Sequence, residues 1–485
     1  MLRRARVGPR LASAIALVAA AILHGCAATP AGDPLESLAR TDVVPARQEA
    51  AMRVLDADPS NPSYIKALKR MIVQPGYTMA IRHEAWDRLV RHAPEELKAS
   101  LQIALPRMTA YEWRTDICRR IGELGWKDMT QALIRAWAVP APVLGRDLHE
   151  RPEYLALVAL WGQSRVPQVL FDLLMRSDPI KESNLRARCW ELLLATGERE
   201  RIEALLADES LATTDAFILD MRRSSADLHV LPSNREEILW IRSLRTPQRR
   251  AFWEAASAAV AQLPPSVRES LEPRDVAIAA AVAAHAPELL KADRDALYTE
   301  VAARLAPERI KRHGASFEGY GTQLAETPRA HADSLRWGDC AAILVMLNAL
   351  EDPAIRRHLF DMADRDLADR STEHGGLLRL DSAGRYEIKE YDPQTRGSDV
   401  RYEASSAMFE DGYDAIAHMH LHAQAYDNAR YAGPHFGDFA YADSTGVNGL
   451  VLTFIDSSRL NADFYRRGQV VIDLGTIERP QGAAE

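Results

Sequence analysis

The sequence is poor in cysteine and has no excess of positive charge, and each shortage excludes a class of protein. Of its 485 residues only four are cysteine. Cys118, Cys189 and Cys340 are too scattered to form a disulfide framework or a C-x-x-C zinc knuckle, so the fold must depend on its core. The formal net charge of -8 argues against a nucleic-acid partner, because such proteins need a basic surface.

Several common catalytic motifs are also missing from the sequence. It contains no Gly-rich phosphate loop, no H-E-x-x-H helix and no G-x-S-x-G turn. What it does contain, 47% hydrophobic and 26% charged residues, is typical of a folded globular chain. The length allows two or three domains.

Residues 1–25 have the pattern of an export signal. Four arginines precede an apolar stretch at 11–23 that is too short to span a bilayer. The stretch ends Leu23-His24-Gly25-Cys26, which resembles a bacterial lipobox. The resemblance implies cleavage before Cys26 and lipidation of its thiol, which would anchor the protein in the bacterial cell envelope, facing the periplasm or the exterior. An ordinary secretory signal with an incidental Cys26 is the alternative. Residues 26–40 are predicted to be a flexible tether.

Residues 41–315 are mostly helical in pattern, and part of this region repeats. An arginine followed by small or apolar residues at fixed offsets recurs at Arg47, Arg82, Arg114, Arg151 and Arg186, at intervals of 35, 32, 37 and 35 residues. Such a period fits two helices per unit that bury their apolar faces by stacking. The region resembles a HEAT-type α-solenoid, whose concave face would bind a protein partner. The arginines themselves fit solvated or helix-cap positions better than ligand contacts.

Residues 316–368 are predicted to be a helical connector that ends in two helices, at 340–350 and 353–368. Beyond residue 369 the hydrophobic period changes from helical to alternating, which predicts short strands at 377–380, 386–391, 416–422, 449–454 and 469–474. Residues 369–478 are therefore predicted to form a small α/β domain, and 479–485 a tail.

Three histidines in this last region have metal-ligand spacing. His418, His420 and His422 alternate along a predicted strand, so their side chains leave one face of it. Two imidazoles about 7 Å apart at their Cα atoms can converge on one ion. Asp438 follows after a turn-rich loop and can supply an oxygen ligand. A solvated polar strand face is the alternative for the histidines, and a helix-start role the alternative for Asp438.

The order of motifs in residues 371–475 resembles the JAMM, or MPN-domain, metallopeptidases. That family has a Glu on an early strand, then His-x-His at a strand end, then Ser-x-x-Asp opening a helix; here these are Glu373, His420-Leu421-His422 and His435-Phe436-Gly437-Asp438. The chain departs from the family pattern at Ala423, where Pro is usual, in its longer loop to His435, and in having His435 at the Ser position.

The resemblance implies a zinc-dependent hydrolase of amide or isopeptide bonds in a peptide or protein. His420, His422 and Asp438 would hold zinc, Glu373 would be the general base, and His435 would stabilise the oxyanion. A pairing of His418 with His420 stays open, as does a surface role for Glu373. The alternative function is a non-catalytic lipoprotein scaffold with a degenerate JAMM-like domain.

Overall fold

The computed structural model describes residues 32–139, 147–209, 215–305 and 325–480. The chain divides into two compact units, one that runs to Arg176 and one that starts at Ser177. The export signal, the lipidation site Cys26 and most of the predicted tail lie outside the described residues. Within the described ranges, no helix combines the length and the apolar character that crossing a membrane requires.

The first unit is helical in its described part. Its helices are α1 (Pro34–Ala39), α2 (Pro45–Leu55), α3 (Pro62–Val73), α4 (Met79–His92), α5 (Pro94–Ala104), α6 (Tyr111–Glu123), α7 (Thr130–Trp137), α8 (Pro152–Trp161) and α9 (Val166–Arg176). Five of them begin with proline, whose fixed φ and missing N–H suit the first helical position. Asn61 and Thr78 cap α3 and α4 with their side-chain oxygens.

Three of the recurring arginines are buried in this unit and bind backbone carbonyls at or just beyond helix ends. Arg82 is 5% exposed, and its guanidinium donates to the carbonyls of Gln74 and Tyr77, just after α3. Arg114 and Arg151, each 2% exposed, both donate to the carbonyl of Ala136 in the last turn of α7. Helix-terminal carbonyls lack partners within the helix, so each arginine satisfies groups that would otherwise be orphaned. The helix-cap interpretation is confirmed for these three arginines, and a solvated position is wrong for them.

The described residues of the second unit that precede the sheet include ten α-helices. They are α10 (Ser183–Ala195), α11 (Arg199–Ala207), α12 (Ala216–Leu228), α13 (Arg235–Leu244), α14 (Arg250–Val260), α15 (Pro265–Arg268), α16 (Pro273–His285), α17 (Arg294–Arg304), α18 (Trp337–Glu351) and α19 (Pro353–Ala368). Helix α18 is apolar on nearly all sides and almost wholly buried, as expected of a helix inside a core.

A six-stranded mixed sheet follows these helices, with two further helices in its connections. The elements are β1 (Gly375–Leu380), β2 (Tyr386–Tyr391), α20 (Ser406–Asp411), β3 (Ala417–His422), α21 (Phe436–Thr445), β4 (Gly449–Asp456), β5 (Arg459–Arg466) and β6 (Val470–Glu478). The strand order is β2-β1-β3-β4-β5-β6. Only β3 and β4 run parallel, and α21 lies in the crossover between them.

Both faces of the sheet are covered. On one face, Phe439 and Ala442 of α21 pack against Val451, Tyr465 and Val471. Helices α18 and α19 contact β6 and β2, respectively. The Phe360 ring of α19 lies 6.4 Å from that of Phe454, which points away from α21 by strand alternation. The face under α21 carries the three histidines of β3.

Buried ion pairs join the sheet to the preceding helices. Arg274 of α16 is 2% exposed and donates to Asp339 of α18 at 2.8 Å and to the Asn448 side chain at 2.7 Å. Arg466 of β5 donates to the same Asp339 at 2.9 Å. Asp339 is fully buried, so both guanidiniums compensate its charge. The sheet therefore shares its charged core with α16 and α18.

Candidate metal centre

Strand register brings the general-base candidate beside the histidines. His418, His420 and His422 are all buried, as the complete covering of β3 requires. In the antiparallel ladder Gly375 lies opposite His420, and the His374 carbonyl accepts from the N–H of Leu421 at 3.0 Å. Glu373 precedes β1 by two residues and so continues this register toward His422. Directly opposed residues share a face of a sheet, which places the Glu373 carboxylate with the imidazoles.

His420 is spaced from the other two proposed ligands as two corners of a tetrahedron are spaced around an ion. The Nε2 atoms of His420 and His422 are 3.2 Å apart, and Nε2 of His420 is 3.3 Å from Oδ1 of Asp438. Ligand atoms about 2.0–2.1 Å from a tetrahedral zinc are separated by roughly 3.3–3.4 Å. The two separations that involve His420 therefore fit a tetrahedral ion to within a few tenths of an ångström, and His422 and Asp438 lie within 4.8 Å of each other.

Hydrogen bonds fix which atoms of His422 and Asp438 face the centre. Nδ1 of His422 lies 2.9 Å from the carbonyl oxygen of Tyr431, which makes Nδ1 the protonated nitrogen and leaves Nε2 free to bind an ion. Oδ2 of Asp438 accepts the N–H of His435 at 2.6 Å at the start of α21, while Oδ1 faces His420. Asp438 thus starts the helix with one oxygen and keeps the other toward His420, so the helix-start role is compatible with a ligand role.

Glu373 lies slightly farther out than the three ligands. Its Oε1 is 3.8 Å from Nε2 of His422 and accepts a hydrogen bond from the Gln424 amide at 2.9 Å. The side chain is 5% exposed. A surface role for Glu373 is therefore wrong. The distance suits a group that acts on a small molecule between itself and an ion.

His435 stacks on His422. The two ring centroids are 4.4 Å apart and the planes differ by 18°. Side-chain atoms of His422, His435 and Asp438 form a second group close enough to hold an ion, beside that of Glu373, His420 and His422. However, a metal ion lies near the plane of each imidazole that binds it, and two stacked, nearly parallel planes do not meet at one point. The geometry favours a neighbouring role for His435 over a ligand role.

His418 is separate from this cluster. Its Nδ1 lies 2.8 Å from the hydroxyl of Tyr441, and its Nε2 packs so close to Gly412 that a Cβ there would approach within 2.4 Å. Burial lowers the pKa of His418 to about 4, so the ring is neutral at pH 7. His418 belongs to neither group of potential ligands, and the pairing of His418 with His420 is not supported.

The charges in the cluster suit a cation. Burial lowers the pKa of His420, but the charge and hydrogen bond of Asp438, together with the charges of Glu373 and Asp366, outweigh that effect and raise the pKa to about 9. Burial, followed by the charge of His420, lowers the pKa of His422 to about 3. Burial raises the pKa of Glu373 to about 7, with part of the rise countered by His420. Without metal, a protonated His420 therefore sits between two carboxylates, where a divalent cation would be favoured in its place.

The sequence did not reveal two groups that support the site. Gln424 holds Glu373 and also donates to the carbonyl of Asp399 at 2.7 Å, although it lies 51 residues from Glu373 in the chain. The Tyr431 carbonyl, which sets the tautomer of His422, is a backbone atom and leaves no trace in residue type.

Comparisons of the chain with protein-family models, with curated proteins and with solved structures found no match. The donor set itself, two imidazoles and two carboxylates, consists of groups that can bind a metal ion. The side chains come from three separate stretches of the chain: the residues before β1, the end of β3 and the start of α21.

Proposed function

We propose that this chain is a zinc-dependent metallopeptidase-like hydrolase that cleaves an amide or isopeptide bond in a peptide or protein. The observation that carries the proposal is the spacing of His420, His422 and Asp438, with Glu373 at 3.8 Å from the nearer imidazole. Three protein ligands leave one coordination position open, which distinguishes catalytic zinc sites from closed structural ones. The resemblance to the JAMM metallopeptidases supports the same reading.

Zinc bound in such a site would polarise a carbonyl group and lower the pKa of a water ligand toward about 7. The residues of the chain would supply the remaining chemistry. Glu373 accepts a proton from the water as its oxygen attacks the carbonyl carbon, and the pKa of about 7 makes the carboxylate a competent base near neutral pH. As the carbon–nitrogen bond breaks, Glu373 delivers that proton to the leaving nitrogen.

The neighbours of Glu373 and His422 would orient these groups. The Gln424 amide restricts the Glu373 carboxylate to one rotation, which reduces the reorganisation needed for proton transfer. His435, stacked on His422, would donate a hydrogen bond to the oxyanion where the JAMM family has serine.

The proposal includes a location for the protein in the cell. The lipobox-like sequence at Cys26 supports a lipid anchor in the bacterial envelope, and the helical repeats would select the substrate or bind a partner protein. A Cys26→Ser variant should move from the membrane fraction to the soluble fraction when bacterial cells expressing it are fractionated. If the variant stays in the membrane fraction, Cys26 is not the site of a lipid anchor.

A second candidate is a non-catalytic scaffold, and the position of His435 favours it. With His435 as a fourth ligand the zinc site would be closed, which is typical of structural sites. The ring stacking described above argues against such coordination, so the hydrolase remains the preferred proposal.

Zinc content and peptide hydrolysis measured on the same preparations separate the two candidates. The wild type should contain about one zinc per chain, His422→Ala should lose it, and Glu373→Gln should retain it. His374→Ala is the matched control, because that side chain lies next to the base in sequence but contacts Asp369 instead of the cluster. Cleavage of a peptide mixture, followed by mass spectrometry, should disappear in Glu373→Gln. A fully loaded wild type without any cleavage would favour the scaffold.

A further inference from the structure

A buried aspartate behind the sheet holds two of the three chain segments that form the candidate metal centre. Asp366 lies in the last turn of α19 and is 1% exposed. One of its oxygens accepts the N–H of His374 at 2.6 Å, and the other accepts the N–H of Ala423 at 3.1 Å. These two residues directly follow Glu373 and His422.

The position of Asp366 matters because the ladder between β1 and β3 ends at this point. The last backbone hydrogen bond between the two strands joins the N–H of Leu421 to the His374 carbonyl. Beyond it, the N–H groups of His374 and Ala423 bond to one side chain instead of to the opposite strand. A single carboxylate therefore sets how far apart the two strand ends lie, and with them the base and the metal ligand.

We propose that Asp366 is a positioning residue that fixes the separation of Glu373 from His422 by binding the backbone next to each. This inference rests on the proposed function, since it assigns Asp366 a role in the geometry of that centre. Asp366 itself touches neither substrate nor metal, because it bonds to the backbone from the α19 side.

The residue after the second histidine supports this assignment. The JAMM metallopeptidases usually have proline at the position of Ala423, and proline has no N–H to donate. In this chain the N–H of Ala423 is present and is used by Asp366. The departure from the family pattern thus coincides with the contact that holds the end of β3.

Zinc affinity, measured by competition with a chromophoric chelator, tests the proposal on the intact chain. Asp366→Asn keeps the volume but places an amide nitrogen against one of the two N–H donors, and we expect zinc affinity to fall about 10-fold, as for other outer-sphere substitutions. Asp364→Asn is the matched control on the same helix, because Asp364 pairs with Arg479 at the surface and should leave the affinity unchanged.

A second variant, Ala423→Pro, removes one donor and leaves the carboxylate in place. Because both changes break the same contact, their effects on zinc affinity should be less than additive in the double variant. The visible spectrum of bound Co²⁺ gives a second readout, because it reports the geometry of the ligands around the ion. It should change in Asp366→Asn and not in Asp364→Asn, whereas a general loss of stability would not alter the spectrum of the folded protein.

Each result decides the matter. If Asp366→Asn and Ala423→Pro both bind zinc as tightly as the wild type and give the same cobalt spectrum, the role of Asp366 is overturned and the proposed function is not. A wild type that binds no zinc overturns the proposed function as well. If Asp366→Asn does not fold, the test depends on Ala423→Pro. Zinc affinity equal to that of the wild type in Ala423→Pro then overturns the inference.

Discussion

Replacing Arg274 with methionine should destabilise the second unit far more than removing a surface charge. The guanidinium is 2% exposed and donates to Glu272 at 2.7 Å, to Asp339 at 2.8 Å and to Asn448 at 2.7 Å. Methionine fills a similar space but donates nothing, so two buried carboxylates and one amide oxygen lose a partner. Breaking a buried ion pair on one side costs about 3–5 kcal/mol.

The remaining contacts place the expected cost at the lower end of that range. Asp339 keeps Arg466 at 2.9 Å, and Glu272 keeps Arg467 at 2.8 Å, so neither carboxylate is left without a counter-charge. We therefore expect the free energy of unfolding of the second unit to fall by about 3 kcal/mol.

Urea unfolding followed by circular dichroism measures this difference. Arg365→Met is the control, because Arg365 is 52% exposed and its pair with Glu390 should contribute less than about 1 kcal/mol. If Arg274→Met and Arg365→Met lower the urea midpoint equally, with the same dependence of the unfolding free energy on urea, the buried ion pairs do not stabilise the packing of the helices on the sheet.

Three further predictions follow from particular residues. Zinc must displace a proton from His420, whose pKa is about 9, so zinc affinity should rise about 100-fold from pH 6 to pH 8; a flat titration by calorimetry would contradict this. Gly449→Ala should lower stability by about 1–3 kcal/mol, because the new Cβ would lie 2.1 Å from Cζ of the buried Tyr465 ring, whereas Gly437→Ala, with open space around it, should not. A fragment of residues 369–485 should fail to give a cooperative thermal transition, since Arg466 and Asn448 would lose Asp339 and Arg274; cooperative melting of the fragment would show otherwise.

Hydrophobic periodicity predicted most of the secondary structure in the second unit. The two helices expected at 340–350 and 353–368 are α18 and α19, and the five predicted strands overlap β1, β2, β3, β4 and β6. Strand β5 was missed because Asn461, Asp463 and Arg466 make its sequence look like a loop. All three are nevertheless buried: Asn461 donates to Asp463 two residues away, and Arg466 pairs with Asp339, which lies 127 residues earlier in the chain. A single sequence does not reveal such pairings.

The candidate site was predictable in its residues and not in its surroundings. Alternation along β3 was enough to place His420 and His422 on one face, and strand register brings Glu373 to them. The role of His418 depends on its contacts with Tyr441 and Gly412. The contacts of Asp366 depend on backbone N–H groups, which residue types do not encode. The sequence allows helix-cap or solvated positions for the repeat arginines, and the burial of Arg82, Arg114 and Arg151 against backbone carbonyls decides between the two for these three.

The most direct test of the metal centre is a crystal structure of the zinc-loaded protein with the ion located by its anomalous scattering. We expect one zinc about 2.0–2.2 Å from Nε2 of His420, Nε2 of His422 and Oδ1 of Asp438, with the Glu373 carboxylate outside bonding distance. Zinc bound instead by His418, or coordinated directly by Glu373 or by His435 as a fourth protein ligand, would contradict it.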